Sequence, residues 1–173
     1  MKICILKETT QNEKRVALVP DVAKKLINDG FEVFIESGAG KQSDFSDEDY
    51  TGVGVTASEA DKIIPNADII FSVKMPNIDS IKKMKAEACL IGLLNPYDNH
   101  EQLKALSENN VNAFSMELVP RSPRAQSMDV LSSQSNLAGY KAIVDSSSMF
   151  NRAMPMMMTA AGTIAPAKIF IMG

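Results

Sequence analysis

Apolar residues along this chain come in short runs, separated by stretches whose apolar positions recur at helical spacing. Residues 2–6, Lys-Ile-Cys-Ile-Leu, predict a first strand. Pro20 and Asp21 open a helix whose Val22, Ala23, Leu26 and Ile27 share one face, and Gly30 closes it. A strand is expected over residues 31–35, followed by the turn Gly38-Ala39-Gly40 and a short polar helix over 46–50. Residues 58–64 read as another helix, stopped by Pro65-Asn66. The centre Ile69-Ile70-Phe71 marks a strand over 68–73 of the kind buried inside parallel sheets. A helix over 78–84, a strand over 89–94, a helix over 101–109 with Leu103 and Leu106 inward, and a strand over 112–116 complete the series. Strands that alternate with helices at this spacing need crossover connections. The pattern therefore predicts an α/β doubly wound, Rossmann-like parallel sheet.

The character changes after Glu117. Pro120-Arg121-Ser122-Pro123-Arg124 is a loop, because two prolines this close disfavour regular structure. A long helix is expected over 132–154, ended by Pro155, and residues 156–162 form a Met-rich connector. Residues 167–172 predict a final apolar strand, followed by Gly173. An apolar strand followed by glycine is how the first turn of a dinucleotide fold begins, although one glycine alone identifies nothing. The expected division is an N-terminal α/β domain over residues 1–130 and a second segment over 131–173.

Composition narrows the classes. The 45% apolar and 23% charged fractions over 173 residues are those of a folded globular chain. The net charge of −3 and the lack of a concentrated basic face argue against a nucleic-acid partner. The densest basic group, Lys82, Lys83 and Lys85, reads as the solvated side of a short helix. Cys4 and Cys89 each sit in an apolar run, which predicts buried thiols. Two separated cysteines and one histidine cannot build a structural zinc site, so no metal is expected. Lys7 and Glu8 interrupt any signal-peptide core, and the apolar stretch 153–172 is broken by Pro155, Gly162, Pro166 and Lys168. These features predict a cytoplasmic location.

On residue type alone, Arg121 and Arg124 are solvated loop charges and Asp129 caps the helix that follows it. However, residues 121–140, RSPRAQSMDVLSSQSNLAGY, resemble the segment of transhydrogenase NAD(H)-binding components that carries the so-called RQD loop. Residues 155–173, PMMMTAAGTIAPAKIFIMG, look like the lead into that family's NAD-binding domain. The opening residues 7–20, KETTQNEKRVALVP, are similar in style to alanine dehydrogenases as well. The resemblance implies that 131–173 hold a linking helix and the first strand of an NAD-binding Rossmann domain, truncated at Gly173. Arg121, Gln126 and Asp129 match the namesake residues of the loop, and Ser132 matches a serine beside them. With Ser122, Pro123 and Arg124 they would lie over the nicotinamide of NAD(H), holding it for hydride transfer to NADP(H) on a partner component. The residue types suit that work. Arginine offers a forked donor to phosphate or amide oxygen, and glutamine and serine can bridge ribose hydroxyls or a carboxamide. The family also implies a proton-conducting membrane component, an NADP(H)-binding component, a homodimer, and a location peripheral to the inner membrane through those partners.

Two other readings stay open. In alanine dehydrogenases, an arginine in the opening motif and a lysine in a V-K-x-P motif handle the keto acid, and a histidine does acid–base work. Arg15 and Lys74 match the first two, but the histidine's place falls at Asn95. Amino-acid oxidation moves protons as well as a hydride, and asparagine cannot titrate in that role. Transfer between two nicotinamides needs only orientation and close approach. In the transhydrogenase reading, Arg15 and Lys74 are expected to pair with acidic neighbours such as Glu8 or Glu13. His100, at the start of a polar helix, is expected to be exposed. The third reading is a scaffold or dimerisation piece with no catalysis of its own.

Overall fold

The computed structural model describes residues 1–172 and separates into two units, residues 1–128 and residues from Asp129 onward. In the first unit, six strands run in the order β3-β2-β1-β4-β5-β6, all parallel. They are β1 (Lys2–Ile5), β2 (Glu32–Glu36), β3 (Thr56–Ser58), β4 (Ile69–Lys74), β5 (Cys89–Leu93) and β6 (Asn112–Ser115). The crossovers carry α1 (Pro20–Asn28), α2 (Asp47–Thr51), α3 (Ala60–Ile63), α4 (Ile78–Lys83) and α5 (His100–Glu108). This is the doubly wound sheet that the alternating pattern predicts.

A parallel sheet covered on both faces needs apolar residues on both. Accordingly, Ile3 and Ile5 pack on one side with Ala23 of α1 and Tyr50 of α2, while Cys4 packs on the other with Ile81 of α4 and Leu106 of α5. The loop that leads into α1 is held by Tyr50, which is fully buried and donates its hydroxyl to the Leu18 carbonyl at 2.7 Å. Helix α2 begins where Ser46 and Asp49 form a reciprocal capping box.

Several local expectations differ from the structure. Thr56–Ser58 is a strand and α3 starts only at Ala60. This edge strand pairs with β2, and it is too short and polar to show a period of its own. Ile64–Asn66 tightens into a 3₁₀ turn around Pro65 instead of extending the helix. Cys4 is fully buried as expected, whereas Cys89 is half-buried. Lys83 and Lys85 are not simply solvated: they bond Asp61 and Asp68 respectively.

The second unit holds a long helix, α6 (Val130–Met149), and a hairpin, β7 (Met157–Thr159) with β8 (Gly162–Ile164). Helix α6 starts earlier than expected because Asp129 caps it, and it ends at Phe150 before reaching Pro155. Within its last turns Ser147 bonds the Ile143 carbonyl at 2.7 Å and the Met154 sulfur at 2.7 Å. A serine hydroxyl competing for helix carbonyls weakens a helix end. The expected connector is the hairpin, closed by a turn at Ala160 and Ala161. The strand expected over 167–172 is absent, since no described strand lies alongside to take its hydrogen bonds. Gly173 lies outside the described residues.

The β4–β5 register slips between Phe71 and Lys74, and Gly92 sits where the backbones close up. A Cβ on Gly92 would lie 2.4 Å from the Ser72 carbonyl oxygen. Gly92→Ala is expected to destabilise the chain by about 2 kcal/mol, as overpacking against backbone does. Denaturant unfolding of the variant against the parent checks this; equal midpoints would show that the two strands can part without cost.

Candidate functional site

The segment that carries the resemblance begins in the first unit, just past β6. A 3₁₀ turn over Met116–Leu118 gives way to the proline loop, and Pro123–Met128 forms a further 3₁₀ segment. Ala125 is its buried anchor. The Ser122 amide donates to the Pro120 carbonyl at 2.9 Å, and the Ala125 amide donates to the Ser122 carbonyl at 3.0 Å. Around that anchor Arg121, Ser122, Pro123, Arg124 and Gln126 are all exposed. Among the described residues, the side chains of Arg121, Arg124 and Gln126 have no hydrogen-bond or ion-pair partner. Two guanidinium forks and one carboxamide are thereby presented to solvent from a short backbone-braced turn.

Asp129 and Ser132 belong to the second unit, where they meet. The Ser132 amide donates to Asp129 Oδ1 at 2.9 Å and its hydroxyl donates to Oδ2 at 2.6 Å. Asp129 is therefore the N-cap of α6, as its residue type alone suggests. Both donors come from one residue in the first turn, so the carboxylate is oriented towards the start of α6. That suits a group which acts through its charge.

The residues at issue between the two enzyme readings lie at the carboxyl ends of the central strands. Arg15 pairs with Glu13 through Nε to Oε1 at 2.8 Å and Nη2 to Oε2 at 2.6 Å, so one face of its fork is occupied by a neighbour. The Glu13 carboxyl is held below its ordinary value chiefly by the hydrogen bond from Arg15. Glu8 accepts the amide of Val73 at 2.5 Å and that of Lys74 at 3.1 Å. Burial pushes the Glu8 carboxyl up, and those two amides oppose the shift. Lys74 thus meets Glu8 through its backbone, not its ammonium. Asn95 is exposed with φ at 42°, a left-handed conformation asparagine tolerates. Its amide donates to Glu117, and its side chain donates to Asp98 at 2.7 Å. His100 is exposed at the first position of α5.

Sequence reasoning passed over two groups. Ser72 is a hydroxyl inside an otherwise apolar strand, and Glu117 braces Asn95 with one oxygen while its Oε2 is buried without a partner among the described residues. The signal for Ser72 was present, as a polar residue interrupting the run Ile69–Val73; Glu117 gave none. Among the described residues no group of three or more His, Cys, Asp or Glu could hold a metal, and no helix is long and apolar enough to cross a membrane.

The chain is similar to known proteins in sequence and in fold. The family model described as Alanine dehydrogenase/PNT, N-terminal domain, matches residues 4–138. The chain is 45% identical, over its whole length and 47% of the relative's, to an NAD(P) transhydrogenase subunit alpha protein of Rhodospirillum rubrum. Among solved structures, a transhydrogenase from Sinorhizobium meliloti superposes with a TM-score of 0.92 at 43% identity, over 96% of this chain and 50% of that one. An L-alanine dehydrogenase superposes with a TM-score of 0.67 at 28% identity, over 72% of this chain and 34% of that one. The chain spans about half the length of the curated relatives it matches.

The Glu13–Arg15 pair generates a pH prediction. Because the Glu13 carboxyl sits below its ordinary 4.5 in the folded chain, its contribution is present above that value and fades as pH falls through the lowered one. Glu13→Gln is expected to cost at most about 1 kcal/mol at neutral pH, since the arginine is partly solvated and screening discounts the pair. The gap between variant and parent should close in acid, as read by unfolding midpoints across pH. A gap that widens in acid instead would mean that the pair does not act through its charge.

Proposed function

The chain belongs to the Alanine dehydrogenase/PNT, N-terminal domain family, and on that premise we propose that it forms part of the NAD(H)-binding component of a proton-translocating transhydrogenase. Residues 1–130 are the α/β domain of that component, and residues 131–173 are the linking helix and the approach to its NAD-binding domain. The observation that carries the reading is the loop: Arg121 and Gln126 stand ready as unpartnered donors in the segment where the resemblance is most specific. NAD(H) is a substrate here, and NADP(H) is held by a partner component.

Hydride transfer between two nicotinamides requires the rings to approach closely and in register, and it moves no proton to or from carbon. Arg121 and Gln126 supply donors for a carboxamide or ribose oxygen, with Ser122, Pro123 and Arg124 shaping the approach. The carboxylate of Asp129, locked by Ser132, places a fixed negative charge that favours the oxidised, cationic ring. The partners are a membrane component that conducts protons and the NADP(H)-binding component, which keep the chain peripheral to the inner membrane from the cytoplasmic side. Association as a homodimer is supported by the exposed Leu137, Tyr140 and Ile143 of α6 and Met157 and Ile164 of the hairpin, none of which is buried within the chain.

The test is hydride transfer from NADH to an NADP⁺ analogue by the complete gene product mixed with an NADP(H)-binding component. Gln126→Ala is expected to slow transfer by about 100-fold, the scale of a lost positioning contact. NADH affinity should change by less than about threefold, a fraction of 1 kcal/mol. Wild-type protein that transfers nothing but reduces NAD⁺ with alanine would hand the assignment to the dehydrogenase reading, which Arg15 and Lys74 favour.

A second expectation concerns the 173 residues alone. Among the described residues, the turn Gly38-Ala39-Gly40 leads only into a three-residue 3₁₀ turn, Lys41–Ser43, and not into a long helix whose N-terminus could supply most dinucleotide affinity. Calorimetry with NADH should give a Kd weaker than roughly 1 mM, worth no more than about 4 kcal/mol. A tight, stoichiometric signal would show that the first unit grips the nucleotide by itself.

A further inference from the structure

The strand order reverses between β1 and β4, and a crevice opens at their carboxyl ends, the switch point of the sheet. One wall of that crevice is the last part of β4, and it is irregular. Phe71 pairs with Ile91 and Lys74 with Leu93, so Ser72 and Val73 stand opposite the single residue Gly92. One extra residue in a strand is a β-bulge, which breaks the ladder locally and leaves backbone groups to be satisfied elsewhere. Gly92 gives the bulge its room, because a Cβ there would collide with the Ser72 carbonyl.

The amides that the bulge sets free are taken by Glu8, just past β1. Its Oε1 accepts the Val73 amide at 2.5 Å and its Oε2 accepts the Lys74 amide at 3.1 Å. Both oxygens of one carboxylate are thus committed to consecutive amides. An ionised carboxylate can take both, and its charge makes such bonds roughly twice as strong as neutral ones. A protonated one cannot. One of its oxygens becomes an O–H donor that faces an N–H, so one amide loses its acceptor.

We propose that Glu8 is a proton-operated clasp on β4: ionised, it fixes the bulge and the crevice wall, and protonated, it releases one of the two amides. Burial moves the switch towards neutral pH, since it pushes the Glu8 carboxyl above the ordinary 4.5 against the pull of the two amides. The charged groups of the opening loop act on it in opposite directions, Glu13 raising it and Arg15 lowering it. Lys7 from the exit of β1, Glu36 from the end of β2 and Lys74 from the end of β4 line the same cleft. Helix α4 and its cap face it with Ser80 and Asn77, which do not titrate. The clasp stands apart from the hydride-transfer assignment, and its test needs no nucleotide.

The experiment follows the backbone amide NMR signals of the 173-residue chain as pH is lowered from neutrality. The Val73 and Lys74 amides are expected to move upfield in one step with a shared midpoint above 4.5, and Gly92 to shift with them. Below that midpoint their hydrogen exchange, corrected for its intrinsic pH dependence, should quicken by about tenfold or more. Glu8→Gln keeps one acceptor oxygen and adds a donor, so it should abolish the step and hold both amides near their low-pH positions throughout. Glu13→Gln should lower the midpoint, because it removes the carboxylate that raises it. Glu36→Gln should leave the step in place. If Glu8→Gln fails to fold, the side-chain carboxyl carbon signal of Glu8 in the parent serves in its place, and it should share the midpoint of the two amides. No step in the parent, a step that survives in Glu8→Gln or vanishes in Glu36→Gln, or a carboxyl midpoint apart from that of the amides would overturn the clasp.

Discussion

Strand β1 lies in the middle of the sheet with Ile3, Cys4 and Ile5 shut away from water, and the two halves of the sheet are registered against its two edges. Burial on both faces leaves no polar position among Ile3, Cys4 and Ile5, so the chemistry at its carboxyl end falls to the residues that follow. There the ladder ends, and backbone amides of Lys7, Val73 and Lys74 lose the strand carbonyls that would otherwise take them. Such donors need acceptors. Glu36 and Glu8 provide them. Glu8 is partly desolvated to do so, which is why its carboxyl is pushed up even with two amides pointing at it. The crevice at the switch point is therefore braced by carboxylates whose first duty is to the backbone.

This also explains which parts of the molecule could be read from the sequence. Elements that bury a face announce themselves: the run Ile69-Ile70-Phe71, the α1 stripe of Ala23 and Leu26, and the strand Cys89-Leu90-Ile91 all lie where the pattern puts them. The edge strand Thr56–Ser58 exists because β2 offers it a partner, a fact stored in tertiary space and not in its own three side chains. Ala167 and the residues after it show the converse. Their apolar pattern suits a strand, but no described strand lies beside them to pair with. At the candidate site, Asp129 as a cap and Arg15 with Glu13 were legible because each partner lies within a few residues. Glu8 on the β4 amides was not, because that contact spans 65 residues of sequence.

The second unit follows a different physical rule. Helix α6 has no buried residue, and its apolar side chains are spread around it instead of gathered into a stripe. A helix that is neither amphipathic nor strongly charged does not gain its stability from water. The hairpin repeats the point, since every residue of β7 and β8 is exposed and no charge interrupts them. Surfaces of this kind are made to be covered by other protein.

Asn95 brings the two levels together. Its left-handed backbone is pinned by Glu117 and its carboxamide is turned to Asp98, so the position is built and not merely vacant. An amino-acid dehydrogenase needs a group there that gains and loses a proton near neutral pH, and a carboxamide in a fixed hydrogen bond does neither. Reactions that pass only a hydride make no such demand. They need two rings held in register and a charge distribution that suits both oxidation states. A neutral Asn95 bonded to Glu117 and Asp98, and an Arg15 with one face of its fork engaged by Glu13, agree with the second kind of reaction, the one proposed above. Restoring a titrating side chain at Asn95 would meet the first requirement only if Arg15 were also released.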